Sequence, residues 1–256
     1  MTNEEFKRMP KELGWKHEYY GDKAHIRPGH AIVLTTVMVK PRSVTAPCLI
    51  RPAKKADIPS LLPAYFAAFA ETADYCDYPP DYVQKRAEED LVSHFAGKRG
   101  NPVTTSQVAV VSNKDGIEEP IGAILIVEKE EAPLVDLLFV VPEWQHKGVA
   151  TALAATALNE LHAAGIKKLH SRFLLANAGS RRWHHHFGFE DEMDLWVQQA
   201  YLRHRLDELE RHELIHHLTD AQYEALQEEI ALRREIVKTL DEISKTQGLD
   251  AVLLHT

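Results

Sequence analysis

Residues 145–150 read Gln-His-Lys-Gly-Val-Ala and lie where an apolar segment passes into an alanine-rich one. The preceding residues 134–141 are apolar apart from Asp136, which is typical of a buried strand. The following residues 151–164 are strong helix formers. The first N–H groups of a helix lack internal partners and lie at the positive end of its dipole, and Gly148 would let a phosphate approach them closely. This stretch therefore predicts a loop that binds a diphosphate.

A second pattern lies downstream, where Asn177 and Ser180 open a predicted helix that ends in Gly188-Phe189. Together with Gln-x-x-Gly-x-Ala at 145–150, it resembles the acetyl-CoA signature of the GNAT superfamily of N-acetyltransferases. Both motifs occur in the family's order, which makes the match more specific than either short pattern alone. The resemblance covers residues 48–198 and implies direct transfer of an acetyl group from acetyl-CoA to a primary amine.

The remaining patterns in this region predict the element order that the resemblance implies, β-α-α-β-β-β-α-β-α-β. The predicted strands span residues 48–51, 107–112, 121–127, 134–141, 168–173 and 193–197. The predicted helices span residues 55–72, 81–96 and 151–164, with a further helix from Gly179. We expect an α+β fold in which helices flank a mixed, mostly antiparallel, twisted sheet.

Both ends of the chain are predicted to be additions to this domain. Residues 1–47 show a hairpin pattern around Gly21-Asp22 and an apolar strand, which predicts an N-terminal β arm. Residues 199–256 predict a C-terminal helical hairpin, whose second helix begins with the capping-box pair Thr219 and Gln222. Either addition could cover the central domain or form a homodimer interface.

The composition narrows the functional class. The chain has 256 residues, 45% hydrophobic and 27% charged, as expected of a globular protein with a full core. A formal net charge of -8 argues against a nucleic-acid partner and mildly favours a cationic one. No apolar run approaches the roughly 20 residues that span a bilayer, and the start lacks signal-peptide features. We therefore expect no membrane association and a cytoplasmic location.

The resemblance implies that acetyl-CoA contacts the end of one strand, the glycine loop and the start of the next helix. The implied donor-binding residues are Phe139, Val140, Val141, Gln145, His146, Lys147, Gly148, Val149, Ala150, Thr151 and Asn177. A free backbone amide near Val140 or Val141 would face the thioester oxygen. Asn177 would bind the pantetheine arm, although an ordinary helix cap explains this residue equally well.

The catalytic candidates are Asp136 and His184. Asp136 is the lone charge in an apolar strand, so an unpaired carboxylate there would have a raised pKa and could act as a general base. The alternative is a salt-bridged Asp136 with a structural role. His184 occupies the position of the family's acidic tyrosine, and histidine can donate a proton near neutral pH.

The acceptor site is expected in the turn between the first two helices of the domain, where the family builds its acceptor pocket. The candidate substrate-binding residues there are Glu71, Asp74 and Tyr75. A small-molecule amine or a peptide would serve as acceptor, and the chemistry requires no metal.

Other functions remain open on the sequence alone. His212, Glu213 and His216 match the zinc-binding pattern His-Glu-x-x-His, but no third ligand follows at the metzincin spacing. A covalent route would need Cys76, which has no histidine beside it in the sequence. A non-catalytic acyl-CoA sensor would use the same loop and is compatible with His184 in place of tyrosine.

Overall fold

The computed structural model describes most of the chain. The described residues are 2–8, 15–20, 23–28, 32–72, 74–75, 78–112, 114, 116–175, 177–192, 197, 201–202, 205–206 and 219–246. The chain divides into two compact units, one of residues Ile32–Glu192 and one that combines Met1–Ala31 with Met193–Thr256. The larger unit contains the predicted diphosphate loop.

The strands are β1 (Trp15–Tyr20), β2 (Lys23–Pro28), β3 (Ile32–Met38), β4 (Leu49–Pro52), β5 (Gln107–Ser112), β6 (Glu118–Val127), β7 (Leu134–Val140), β8 (Lys168–Leu174) and β9 (Glu190–Asp191). The helices are α1 (Asn3–Arg8), α2 (Ile58–Phe69), α3 (Pro80–Phe95), α4 (Val149–Ala163), α5 (Ala178–Phe187) and α6 (Asp220–Thr246). Short 3-10 turns precede α2 (Lys55–Asp57) and α4 (Pro142–Trp144).

A seven-stranded sheet with the order β4-β5-β6-β7-β8-β3-β9 forms the larger unit. Neighbouring strands are antiparallel except β7 and β8, which are parallel. This confirms the predicted mixed, mostly antiparallel sheet with flanking helices. Because β7 is followed by a crossover helix, its loop and the end of β8 lie at the same edge of the sheet.

The N-terminal region contributes β3 to this sheet. β3 pairs with β8 from Ile32↔Leu174 to Met38↔Lys168, and its other edge pairs with β9. A strand far from β8 in sequence thus extends the sheet on the side away from β7. The prediction of a last strand at 193–197 is wrong at Val197, which is helical, and residues 193–196 lie outside the described residues.

Alternating side chains of the central strands bury two apolar layers. On one face, Ile124 and Val140 pack with Leu153 of α4. On the other face, Leu125 and Phe139 pack with α2 and α3. Each fully buried aliphatic or aromatic side chain contributes about 1.5–3 kcal/mol, so these layers fix the ends of β7 and α4 relative to each other.

The described part of the smaller unit includes the predicted N-terminal hairpin and the long C-terminal helix α6. β1 and β2 pair antiparallel, although the turn Gly21-Asp22 lies outside the described residues. Thr219 and Gln222 exchange hydrogen bonds at the start of α6 as a capping box does. Within the described part of the chain, no helix has the length and apolarity that crossing a membrane requires.

Candidate functional site

The loop between β7 and α4 has the backbone geometry of an anion cradle. Gly148 is the N-cap of α4 with φ of 84°, and its helix start receives no hydrogen bond from a capping side chain. His146 also has a positive φ, of 58°. Left-handed residues in such a turn direct successive backbone N–H groups into one concavity. The first N–H groups of α4 therefore remain available to an anion.

Space around Gly148 permits close approach. A Cβ atom built on this glycine meets no atom within 4 Å. Residues 145–148 are all exposed, whereas Val149 is buried and anchors the first turn of α4. The side chain of Gln145 turns back and donates its amide N–H to the Val140 carbonyl at 2.9 Å. Gln145 thus holds the loop against the end of β7 and leaves the backbone to face an anion.

Beside this loop, β7 and β8 separate. Their ladder contains the single pair Leu134↔His170, at the start of both strands. Val141 donates its N–H to the Ile121 carbonyl of β6 at 2.9 Å, so that amide is engaged. Because hydrogen-bonding directions alternate along a strand, the Val140 N–H points away from β6, towards the opening beside β8. Of the two amides considered from the sequence, Val140 has the direction required.

Asn177 lies at the far side of the opening, after β8. Its Oδ1 accepts the Ser180 backbone N–H at 3.0 Å, which caps α5. Its Nδ2 donates to Asp74 Oδ2 at 3.2 Å. The structure therefore brings together a predicted donor-binding residue and a predicted acceptor-binding residue that are 103 positions apart.

The turn between α2 and α3 carries the other acceptor candidates. Glu71 is exposed, whereas Asp74 and Tyr75 are half-buried. Phe69 connects this turn to the end of β7, since its ring centroid lies 6.1 Å from that of Tyr75 and 6.0 Å from that of Phe139. Burial raises the pKa of Tyr75, so its phenol stays protonated at neutral pH.

Asp136 is not the unpaired carboxylate that a raised pKa would require. It occupies a β-bulge, because Leu125 pairs with Leu137 while the next residue, Ile126, pairs with Val135. The bulge directs the carboxylate to His94 Nδ1 at 2.9 Å and to Arg99 Nε at 2.8 Å. Burial alone would raise the pKa of Asp136, but these two partners outweigh it and lower the pKa below its ordinary value.

A buried polar network extends from this bulge, and the sequence analysis did not identify it. Arg99 also binds Asp90 at 2.6 Å, and Asp90 accepts the Tyr65 hydroxyl at 2.7 Å. The Tyr65 oxygen lies 3.5 Å from that of Tyr75 in the acceptor turn. One sequence signal could have indicated this network. Asp90 occupies an apolar position of α3, and a charge buried there requires a partner. Through Tyr65 and Tyr75, the network thus supports the turn between α2 and α3.

His184 is buried and fully engaged. Its Nδ1 lies 2.8 Å from the Ser180 carbonyl oxygen, which can only accept, so Nδ1 carries the proton. Its Nε2 then accepts from the Ser171 hydroxyl at 2.8 Å. Burial lowers the pKa of His184 to about 4. A neutral imidazole with both nitrogens bonded is poorly suited to protonate a leaving thiolate at neutral pH.

The burial of His184 predicts a pH dependence of stability. The unfolded state binds a proton at His184 below about pH 6.5, whereas the folded state does so only near pH 4. The contribution of buried, neutral His184 to the free energy of unfolding is therefore complete above pH 6.5. Between pH 6.5 and about pH 4, the free energy of unfolding falls by up to about 1.4 kcal/mol per pH unit. In denaturant titrations across this range, His184→Gln should show a shallower loss than the parent, whereas exposed His186→Gln should match it. Equal slopes for the parent and His184→Gln would contradict this assignment.

The metal and covalent alternatives gain no support from the described residues. Among them, no three His, Cys, Asp or Glu side chains are grouped to hold a metal ion. His212, Glu213 and His216 lie outside the described residues, as does Cys76. These two alternatives therefore remain sequence hypotheses.

Several solved structures resemble this chain in part. A conserved protein of unknown function from Staphylococcus epidermidis has 16% identity and a TM-score of 0.47, over 63% of this chain and 57% of its own. A GCN5-related N-acetyltransferase from Sphaerobacter thermophilus has 15% identity and a TM-score of 0.43, over 63% and 48% of the two chains. The PaiA N-acetyltransferase from Thermoplasma acidophilum, solved with coenzyme A, has 17% identity and a TM-score of 0.44, over 57% and 92%. The chain thus spans about half the length of the first two.

A search of curated proteins gave no match. The family model for the acetyltransferase (GNAT) domain matches residues 48–190, which is more than half of the 256-residue chain. That span runs from the start of β4 to β9 and includes the glycine loop, the opening beside β7 and the start of α5. The chain therefore belongs to the GNAT family of acetyltransferase domains.

Proposed function

We propose that this protein transfers an acetyl group from acetyl-CoA to a primary amine of a small molecule or peptide. The observation that carries the proposal is the cradle at Gly148, which opens beside the gap between β7 and β8. An acyl-CoA has a diphosphate joined to an extended arm, and the two neighbouring features suit these two parts. We also propose that transfer occurs directly, without a metal or an acyl-enzyme.

The donor would be held mainly by backbone groups. In this proposal the amides of residues 146–151 face the diphosphate, and the edge of β7 from Phe139 to Val141 follows the arm. Asn177 would bind the arm from the β8 side through its amide group. Thr151 receives the Trp183 indole N–H at 3.3 Å, which packs α5 against the first turn of α4. This contact keeps the two sides of the donor site together.

Catalysis would rest on positioning and on one polarising amide. Holding an amine at attack distance from a thioester can lower the barrier by roughly 7–11 kcal/mol. The Val140 N–H, directed into the opening, would stabilise charge on the carbonyl oxygen, and one such donor is worth roughly 3–4 kcal/mol. The neutral amine nitrogen attacks the carbonyl carbon, the C–S bond breaks and CoA leaves as its thiolate. The proton that the amine nitrogen loses passes to solvent, and the thiolate takes up a proton from solvent.

Neither Asp136 nor His184 is assigned a proton-transfer role in this proposal. Asp136 has a lowered pKa and is bound to His94 and Arg99. His184 is neutral and has both ring nitrogens engaged. We propose that Asp136 supports α3 and the acceptor turn, and that His184 anchors α5 to β8.

A second candidate function, that of an acyl-CoA sensor, is also supported by a specific observation. A non-catalytic acyl-CoA sensor would use the same cradle and would need no proton-transfer residue. The engagement of His184 at the family's acid position favours this reading. The sensor and the enzyme differ in a single observable, which is the consumption of acetyl-CoA in the presence of amines.

The test of the proposal is a transfer assay. We expect the purified protein to acetylate at least one amine in a panel of diamines, amino acids, aminoglycosides and peptides with free N-termini. Product masses and the release of CoA thiol would be measured in parallel reactions with and without chelator. A protein that binds acetyl-CoA but acetylates no amine would favour the sensor, and loss of transfer with chelator would contradict the metal-free route.

A further inference from the structure

Asn177 and Asp74 form a hydrogen bond between two elements that flank the opening beside β7. Asn177 follows β8 on one side, whereas Asp74 lies in the turn between α2 and α3 on the other. Through Phe69, that turn also packs against Phe139 at the end of β7. This bond therefore joins the two walls between which donor and acceptor would meet.

The orientation of the Asn177 amide follows from its partners. Its oxygen must face the Ser180 N–H, and its nitrogen must face the Asp74 carboxylate. An amide nitrogen carries two protons, and Asp74 uses only one of them. The second proton remains to serve a carbonyl of the donor arm. Asn177 can thus bind the donor and hold Asp74 at the same time.

Asp74 is a half-buried carboxylate whose described partners are all neutral. Besides Asn177, Thr72 lies near it, with its hydroxyl 3.4 Å from Asp74 Oδ2. The single Thr72 proton has a closer acceptor in the Phe69 carbonyl, at 2.8 Å. Within the described part of the chain, no Lys, Arg or His forms an ion pair with Asp74. A carboxylate has about four lone-pair sites, so Asp74 retains capacity for a cation.

We infer that Asp74 recognises the positive charge of the acceptor ammonium and that Asn177 couples this recognition to donor binding. The inference rests on the proposed function. To the sequence prediction that Asp74 contacts the acceptor, it adds the charge that Asp74 recognises and the coupling of this contact to donor binding. The ammonium would bind to Asp74 before the amine loses its proton. Because Asn177 would contact the donor and Asp74 together, each substrate would tighten the binding of the other by the same factor.

Two conservative variants test the charge of Asp74 and the hydrogen bond from Asn177 separately. Asp74→Asn keeps the size of the side chain and an oxygen that can accept the Asn177 N–H, but removes the charge. Asn177→Ser keeps a good helix cap for α5 and removes the amide N–H groups. Neither change exposes apolar surface, so both variants should remain folded, which circular dichroism and thermal unfolding would verify.

The probes are benzylamine, which is protonated at neutral pH, and its neutral isostere benzyl alcohol. Each is titrated by calorimetry into protein saturated with desulfo-CoA, so that no transfer occurs. The parent should bind benzylamine about 10–100-fold more tightly than benzyl alcohol, as expected for a hydrogen bond to a charged group. Asp74→Asn should abolish this difference and change desulfo-CoA affinity by less than about twofold. In Asn177→Ser, benzylamine and desulfo-CoA should no longer strengthen each other's binding.

The outcomes distinguish the inference from the function on which it rests. If desulfo-CoA does not bind the parent protein, the proposed function fails and the inference fails with it. If desulfo-CoA binds but benzylamine shows no preference over benzyl alcohol, the inference alone is wrong. It is equally wrong if the preference persists in Asp74→Asn.

Discussion

Gly148→Glu should abolish acetyl-CoA binding, with an affinity at least about 100-fold below that of the parent protein, while the protein remains folded. The new carboxylate would occupy the space above the first N–H groups of α4 and repel a diphosphate there. A non-glycine residue at the Gly148 φ of 84° costs about 1–2 kcal/mol. A carboxylate at a helix N-terminus offsets about 0.3–1 kcal/mol of this cost. Calorimetric titration with acetyl-CoA measures the effect.

The same helix provides a matched control at its other end. Gly165 follows α4 with φ of 79°, and a Cβ atom built there also meets nothing within 4 Å. Gly165→Glu therefore imposes similar backbone strain and adds the same charge far from the cradle. We expect it to lower stability somewhat more than Gly148→Glu, because a carboxylate at a helix C-terminus is unfavourable, and to bind acetyl-CoA like the parent. Equal loss of binding in both variants would show that strain, rather than occupation of the cradle, is responsible.

Asp136→Asn should lower the free energy of unfolding by about 3–5 kcal/mol. Removing one partner of a buried ion pair leaves the others uncompensated, and the Asp136 side chain is only 3% exposed. Per folded molecule, transfer should stay within a few-fold of the parent, because Asp136 is paired structurally. Loss of a general base would instead reduce the rate by about 10²–10⁴-fold. Urea unfolding and initial rates at low temperature separate the two effects.

A control and a pH series sharpen this prediction. Glu88 is an exposed carboxylate on the same helix as His94, so Glu88→Gln should change stability by less than about 0.5 kcal/mol. Because the pKa of Asp136 is lowered from 3.8, its stabilising contribution is present above that pH and is lost as pH falls through the folded value. The stability difference between the parent and Asp136→Asn should therefore shrink in acid. A rate loss of 10²-fold or more at full folding would restore Asp136 as the base.

Local patterns predicted the elements of the domain well. The apolar run ending in β7, the glycine and the helix formers of α4 each follow from neighbouring residues, and so does the cap at Asn177. These features depend on propensity and periodicity over a few residues. The element order and the position of the glycine loop were therefore accessible from local sequence, whereas the mixed sheet was implied by the family resemblance.

Contacts between residues that are distant in the chain could not be predicted from such local patterns. The sequence predicted β3 as a strand but carried no signal that its partner would be β8. Likewise, the bulge at Asp136 arises from pairing with β6, and its partner His94 lies 42 residues away. One charge in an apolar strand is compatible with a base or with a salt bridge. Only the tertiary partners decide between these two readings.

The burial of His184 on α5 likewise could not be predicted from the local pattern. Three consecutive histidines suggest a partly exposed face, and His185 and His186 are indeed exposed. His184 is instead 3% exposed, because it faces Ser171 of β8. The direction of a single residue around a helix depends on what packs there, and the family position alone does not give it.

Calorimetric titration of the metal-free parent protein with acetyl-CoA and with desulfo-CoA tests directly whether the Gly148 loop holds an acyl-CoA. We predict saturable binding of both at one site per chain, since the cradle and the opening beside β7 require neither a metal nor the thioester. Absence of binding by a folded protein would contradict the assignment of the Gly148 loop as an acyl-CoA site.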